Sequence, residues 1–170
     1  VEHGCRVSIF DQQRAGQAAS WAGGGILSPM YPWRYPHAVN TLAQHGKDLY
    51  QTWNEKLLPR TGIDFEIHNT GMLIFDESDF EIGLDYAEHF HQPMQRADYV
   101  DRDALEQINP WIANKYQHAI YFSALSNIRN PRLLQSIVQY LKQHSRVAFF
   151  DDQPIEKFIF DQDSIQAMKS

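Results

Sequence analysis

The residue pattern is that of an α/β chain, on three observations. Val7-Ser8-Ile9-Phe10 is a short apolar run that ends in Asp11, the pattern of a parallel strand buried on both faces. From His37 to about Leu58, apolar residues recur at helical spacing. Asn130-Pro131 opens a second helix that leads back into apolar runs. Strands interleaved with helices in this way belong to the α/β or α+β class.

After the first strand comes a stretch of small residues, Ala15 to Gly25, too rich in glycine for a continuous helix. Gly23-Gly24-Gly25 marks a place where backbone passes close to something. Pro29, Pro32 and Pro36 forbid regular helix to about Tyr35. In the helix from His37, the spaced residues are Val39, Leu42, Leu49, Trp53 and Leu57, and Pro59 with Gly62 is expected to stop it. Phe65 to His68 and Met72 to Phe75 read as two strands joined hairpin-fashion through Asn69-Thr70-Gly71. A helix is expected from Asp79 to about His91, then a short strand at Tyr99-Val100. Asp101 suits the N-cap of a short helix that Asn109-Pro110 ends. Ala119 to Phe122 reads as a strand. Asn130 is expected to cap the next helix, with Pro131 in its first turn and Leu133, Leu134, Ile137, Val138 and Leu141 as its buried stripe. Val147 to Phe150, Ile155 to Phe160 and a last strand after Asp161-Gln162-Asp163-Ser164 complete the chain.

Composition narrows the function. The 170 residues carry a net charge of −6 with 21% charged residues, so the basic stripe of a nucleic-acid binder is missing. No apolar run approaches the roughly 20 residues of a membrane helix, so no membrane partner and a cytoplasmic location are expected. Cys5 is the only cysteine, which excludes a disulfide framework and a thiolate metal cluster. It is expected to be a buried structural residue without a nucleophilic role. His89 and His91, with His68, make no metal site, because positions i and i+2 of a helix point apart. Tyr31, Trp33 and Tyr35 form an aromatic cluster among prolines, either a flap over a substrate or cover for a domain seam. Arg34 among them is expected to be solvated, with a carboxylate partner as the alternative. Asp151-Asp152, Asp161 and Asp163 are expected at solvated hairpin ends.

Three segments carry a family resemblance. The run Val7 to Asp11 resembles the second strand of a dinucleotide-binding fold, whose terminal carboxylate accepts from both hydroxyls of the adenosine ribose. The segment Gly16-Gln17-Ala18-Ala19-Ser20-Trp21-Ala22-Gly23-Gly24-Gly25-Ile26-Leu27-Ser28-Pro29, continued through Pro36, is similar to the stretch after that strand in bacterial glycine oxidases. Ile128-Arg129-Asn130-Pro131-Arg132-Leu133-Leu134, with Gln153-Pro154-Ile155, resembles the later return to the same domain. The chain therefore resembles the FAD-dependent D-amino-acid oxidase superfamily, and within it the glycine oxidases of thiamine biosynthesis.

The resemblance implies a fold and a site. The fold is a portion of a Rossmann-like (GR2-type) FAD-binding domain with a portion of an α+β substrate domain. Residues 1–36 and 129–170 are expected in the first, and 37–128 in an insertion that begins the second. The cofactor implied is FAD. Asp11, with Gln12 beside it, is implied at the ribose, Ala19 and Ser20 near the phosphates, Gly24, Gly25 and Ile26 along the flavin ring, and Ile155 at the adenine. Leu27 is implied in the wall of the substrate pocket. The implied partners are a small amino-acid substrate and molecular oxygen, with a homo-tetramer as the assembly.

The implied activity is oxidative deamination of glycine or another small D-amino acid or secondary amine, giving a 2-oxo acid, ammonia and hydrogen peroxide. In thiamine thiazole synthesis the imine is the useful product. No protein acid or base is obligatory for such a hydride transfer, so no catalytic residue is implied. The alternatives are a D-amino-acid dehydrogenase, a sarcosine oxidase-like enzyme, or a non-catalytic fragment. The family's GxGxxG precedes the second strand and is not in this chain, and neither are its substrate-carboxylate arginine and last FAD segment. An internal piece of a longer protein is expected, with weak or no FAD binding if it stands by itself.

Overall fold

The computed structural model describes residues 1, 3–27, 31–89, 96–161 and 164–169. In chain order the elements are β1 (Val7–Phe10), α1 (Ala19–Ala22), α2 (His37–Thr61), β2 (His68–Asn69), β3 (Met72–Ile74), α3 (Phe80–His89), β4 (Ala97–Asp101), α4 (Arg102–Ile108), α5 (Pro110–Ala113), β5 (His118–Phe122), β6 (Ser126–Asn127), α6 (Asn130–Lys142), β7 (Val147–Phe150), β8 (Lys157–Asp161) and β9 (Ser164–Lys169). They group into two compact units, Val1–Gly24 with Thr52–Glu66 and Arg129–Ser170, and Gly25–Gln51 with Ile67–Ile128. Residues 25–36 thus group with the second unit and Thr52–Glu66 with the first, where the resemblance implied a division at 36/37, while the change of unit between Ile128 and Arg129 falls at the implied 128/129.

In the first unit β1 and β7 run parallel, in register from Val7↔Val147 to Phe10↔Phe150. The two strand ends are joined by stacked rings, Phe10 on Phe150 at 4.5 Å. Helix α6 supplies the crossover that parallel pairing requires. Its expected leucine stripe is only partly buried. Ser136 is the fully buried residue, with its hydroxyl 2.9 Å from Thr61 Oγ1. Asn130 is not the cap. Arg129 holds the N-cap position without a side-chain hydrogen bond, and Asn130 is the first helical residue. The β8–β9 hairpin closes the chain, antiparallel and with every residue of β8 exposed.

In the second unit a three-stranded antiparallel sheet, β3-β5-β4, is covered on both faces. Alternation along β5 divides the core. Ile120 and Phe122 join Ile74 and Leu125 against Trp33, Phe80 and Leu84. Ala119 faces the other way, with Val100, Leu105 and Ala113. A strand buried on both sides must be apolar at consecutive positions, which is why Ala119 to Phe122 is continuous. Asp101 caps α4 as expected, accepting from Ala104 N–H at 3.0 Å. Asn109 both ends α4 and caps α5, its Oδ1 taking Trp111 N–H.

Several expectations fail for physical reasons. Pro59 does not stop α2, which runs on to Thr61. A proline near a helix end removes one N–H, and the last turn is held instead by Gly62 N–H on the Leu58 carbonyl and by the Thr61 hydroxyl on that of Leu57. Gly62, at φ +68°, then ends the helix in the left-handed conformation. The spaced apolar residues of α2 are mostly exposed, Leu42 at 75%, and only Leu57 is buried. The expected hairpin through Asn69-Thr70-Gly71 does not form. β2 pairs with β6 and β3 with β5, in separate sheets, so non-local partners win over the local turn. α3 begins at Phe80, after a turn of 3-10 helix over Glu77–Asp79. Its expected end at His91 lies outside the described residues. Cys5 is exposed, not buried.

Candidate functional site

The two parallel strands end side by side, and their ends build the candidate site. Asp11 follows β1, and its N–H continues the ladder to the Phe150 carbonyl at 3.2 Å. Its Oδ1 accepts from Gln13 N–H at 2.9 Å, which turns the chain. Its Oδ2 has no hydrogen-bond partner among the described residues. The segment after β7 meets this loop. Asp152 N–H reaches the Gln13 carbonyl at 3.3 Å, and Gln153 N–H reaches that of Asp11 at 2.9 Å. Asp11 and Gln12 therefore stand beside the turn that leads to half-buried Ile155.

Ala19 and Ser20 open the short helix α1, both exposed, and the Ser20 hydroxyl makes no hydrogen bond among the described residues. α1 packs against α6 within the same unit. At Gly23 the approach is close. An added Cβ would lie 2.5 Å from Asn130 Nδ2, so the side chain that does not cap α6 closes on the glycine turn. Gly24 has open space instead, with nothing within 4 Å of an added Cβ.

Gly25, Ile26 and Leu27 belong to the second unit, where they pair alongside β6. Ile128 N–H bonds the Gly25 carbonyl at 2.8 Å, Leu27 N–H bonds that of Ser126 at 3.0 Å, and Ile26 bridges to Asn127. Leu27 is 7% exposed and Ile26 45%, so of the pair Ile26 offers free surface. Of the aromatic cluster, Tyr31 and Trp33 pack against the core of the second unit, and Tyr35 is exposed. Trp33 stacks on Phe122 and its Nε1–H donates to Asp79 Oδ1 at 2.9 Å. Arg34 is not simply solvated, because it pairs with the Asp79 carboxylate and lies 4.3 Å over the Tyr31 ring. Nothing in the linear pattern points to Asp79, 45 residues from Arg34.

Asp151 corrects another expectation. It is no solvated hairpin end, since its Oδ1 accepts from Ala15 N–H at 3.0 Å and its Oδ2 lies 3.5 Å from Lys142 Nζ. The Ala15 bond, and then the Lys142 charge, hold its carboxyl below the usual range. A signal for it was present, because Val147-Ala148-Phe149-Phe150-Asp151 repeats the pattern of Val7 to Asp11. A cavity of 650 Å³ in the first unit is lined by Arg14, Gly16, Trp21, Leu134, Val138 and Asp151, among others, and by none of the nine contact residues expected from the sequence. No group of three or more His, Cys, Asp or Glu among the described residues is placed to hold a metal. No helix among them is long and apolar enough to cross a membrane.

Comparison with known proteins gives a consistent picture. Residues 1–167 match the family model described as FAD dependent oxidoreductase (DAO). A glycine oxidase of Pseudomonas aeruginosa is 34% identical over 162 residues, covering 95% of this chain and 44% of the relative. A glycine oxidase of Pseudomonas putida is 40% identical over 132 residues, covering 78% and 35%. The chain thus spans less than half the length of the curated relatives it matches. The crystal structure of glycine oxidase from Bacillus cereus superposes with a TM-score of 0.81 at 16% identity, covering 98% of this chain and 45% of that one. At that identity the likeness concerns the fold.

Proposed function

The chain belongs to the FAD-dependent oxidoreductase family, and on that ground we propose that it takes part in the oxidation of glycine or another small amine. FAD is the cofactor of this family. The observation that carries the reading is the meeting of Asp11 with the turn from Asp151 to Ile155 at the ends of β1 and β7. Ligands of open parallel sheets bind at the carboxyl ends of the strands. The residues present fit the group. Asp11 keeps one carboxylate oxygen for a ribose hydroxyl, Ser20 keeps its hydroxyl for a phosphate, and Gly24 leaves room for close approach.

In this reading Asp11 and Gln12 hold the ribose, and Ile155 lies along the adenine. Ala19 and Ser20 meet the phosphates. Gly24, Gly25 and Ile26 present backbone to the flavin ring, and Leu27 supports the wall of the amine pocket. When bound, FAD supplies the acceptor for the two electrons of the amine, with molecular oxygen as the final oxidant. The protein's part is to orient and to exclude water. Glycine as substrate is the finer part of the proposal, supported by identity to two glycine oxidases, and a place in thiazole formation for thiamine rests on the resemblance alone.

The test is the visible spectrum of the purified full-length protein that contains these residues, followed by oxygen uptake with glycine, sarcosine and D-alanine. Flavin bands with oxygen uptake on glycine are the expected result. Flavin with dye reduction but no oxygen uptake would move the reading to a dehydrogenase. Absence of flavin, with no uptake of added FAD, would overturn it.

A further inference from the structure

The loop that carries Asp11 is strapped down from outside. Between Asp11 and Gly16 its backbone takes Asp152 N–H at Gln13 and Gln153 N–H at Asp11, and gives Ala15 N–H to the carboxylate of Asp151. Among the described residues, that last bond is the only one made to the loop backbone by a side chain from beyond it. The register explains the reach. Phe10 is level with Phe150, so Asp11 and Asp151 leave their strands at the same height, one turning back on its own loop and the other crossing to the neighbouring loop. Asp152, next in the chain, takes φ +59°.

The other end of the loop lies against α6. Gly16 takes φ +82°, and an added Cβ there would touch Leu134 and Val138 of α6 at 3.5 and 3.6 Å. Lys142, the last residue of α6, lies 3.5 Å from the second oxygen of Asp151, and the carboxylate remains 28% exposed. A carboxylate that accepts a backbone N–H makes one of the stronger hydrogen bonds available to a loop.

We propose that Asp151 is a positioning residue, whose carboxylate holds the Asp11–Gly16 loop so that Asp11 meets the adenosine ribose of the cofactor. The inference rests on the FAD reading above and goes beyond it, because it assigns to Asp151 a role in one half of the cofactor only. Loss of the Asp151 carboxylate removes the anchor at Ala15 and leaves the loop held by the backbone bonds at Asp11 and Gln13. It leaves untouched the Gly24 to Ile26 backbone proposed for the flavin ring.

The experiment is titration of the purified, flavin-stripped protein with FAD, AMP and FMN, followed by calorimetry or by flavin fluorescence. Asp151→Ala is expected to weaken FAD and AMP by the same factor, about tenfold, with FMN binding unchanged. Asp151→Asn keeps an oxygen acceptor for Ala15 N–H and is expected to stay within about threefold of the parent. Asp151→Ser, small and polar, replaces the alanine variant if that one does not fold. The inference is overturned if AMP and FAD bind the alanine or serine variant as they bind the parent, or if FMN loses as much as AMP. A parent that binds neither FAD nor AMP would overturn the FAD reading itself, a result distinct from a parent that binds both and a variant that does so equally.

Discussion

Asp79 is a buried carboxylate with two donors, Trp33 Nε1–H and the Arg34 guanidinium. Asp79→Ala leaves the indole N–H without its acceptor inside the core, while half-exposed Arg34 recovers part of its loss from water. The expected cost is about 1–3 kcal/mol in urea unfolding. Asp79→Asn keeps an oxygen for Trp33 and is expected to cost less. An alanine variant as stable as the parent would remove the residue from this role. Asp151 makes a prediction in pH. Its folded pKa lies below the usual 3.8, through the Ala15 N–H first and then Lys142. Its stabilisation is therefore complete above the unfolded value and is lost as pH falls through the folded one. Unfolding followed from pH 6 to pH 3 is expected to show the parent more stable than Asp151→Asn at the upper end, with the gap closing below about 3.8. A gap constant across that range would mean the charge is not what matters. The strand end before Asp11 and the close approach in the glycine run were legible at this scale because their residue types and spacing are local. Asp79 was not, since its partners are remote in sequence. Asp151 repeats the strand-end pattern of Asp11 and was readable only once the two strands were known to be neighbours.

Among the elements, α3 sets two effects against each other at Gly83. Alanine there improves helix propensity by roughly 1 kcal/mol. Its methyl would stand 3.0 Å from the Trp33 ring and 3.2 Å from Ile120 Cδ1. Ile120 is fully buried, and Trp33 is held by Asp79 and by the rings around it, so neither gives way easily. Crowding in a packed core costs about 1–3 kcal/mol and outweighs the gain. Gly83→Ala is expected to lower stability by about 1 kcal/mol, and by less in an Asp79→Ala background, where Trp33 can move. Equal cost in both backgrounds would show that Trp33 does not set the limit. Elements with caps, such as α4, were readable because Asp101 acts within its own turn. The hairpin expected at Asn69-Thr70-Gly71 was not. A turn signal states that the chain bends and does not state which strand lies beside it, and here β5 and β6 are the partners.

For the molecule as a whole, α2 separates pattern from burial. Its apolar spacing is regular, yet Val39, Leu42 and Leu49 stay exposed. Leu42→Lys is accordingly expected to shift the stability of this chain by no more than about 0.5 kcal/mol, measured by thermal or urea unfolding. A loss of several kcal/mol would mean that the side chain is covered in solution. The linear order of residues was enough for the class of fold, the β1 run with its terminal aspartate, the extent of α4 and the family to which the chain belongs. All but the family rest on local chemistry, since period, caps, prolines and glycines act within a few residues of themselves, and the family came from the resemblance of three segments. Four features needed the folded chain: which strands pair, that Arg34 and Trp33 share Asp79, that Asn130 packs on Gly23 instead of capping α6, and that Asp151 holds the loop of Asp11. The side-chain contacts among them join residues 45 or more positions apart. Their partners compete with every other donor and acceptor in the chain, and packing alone selects among them.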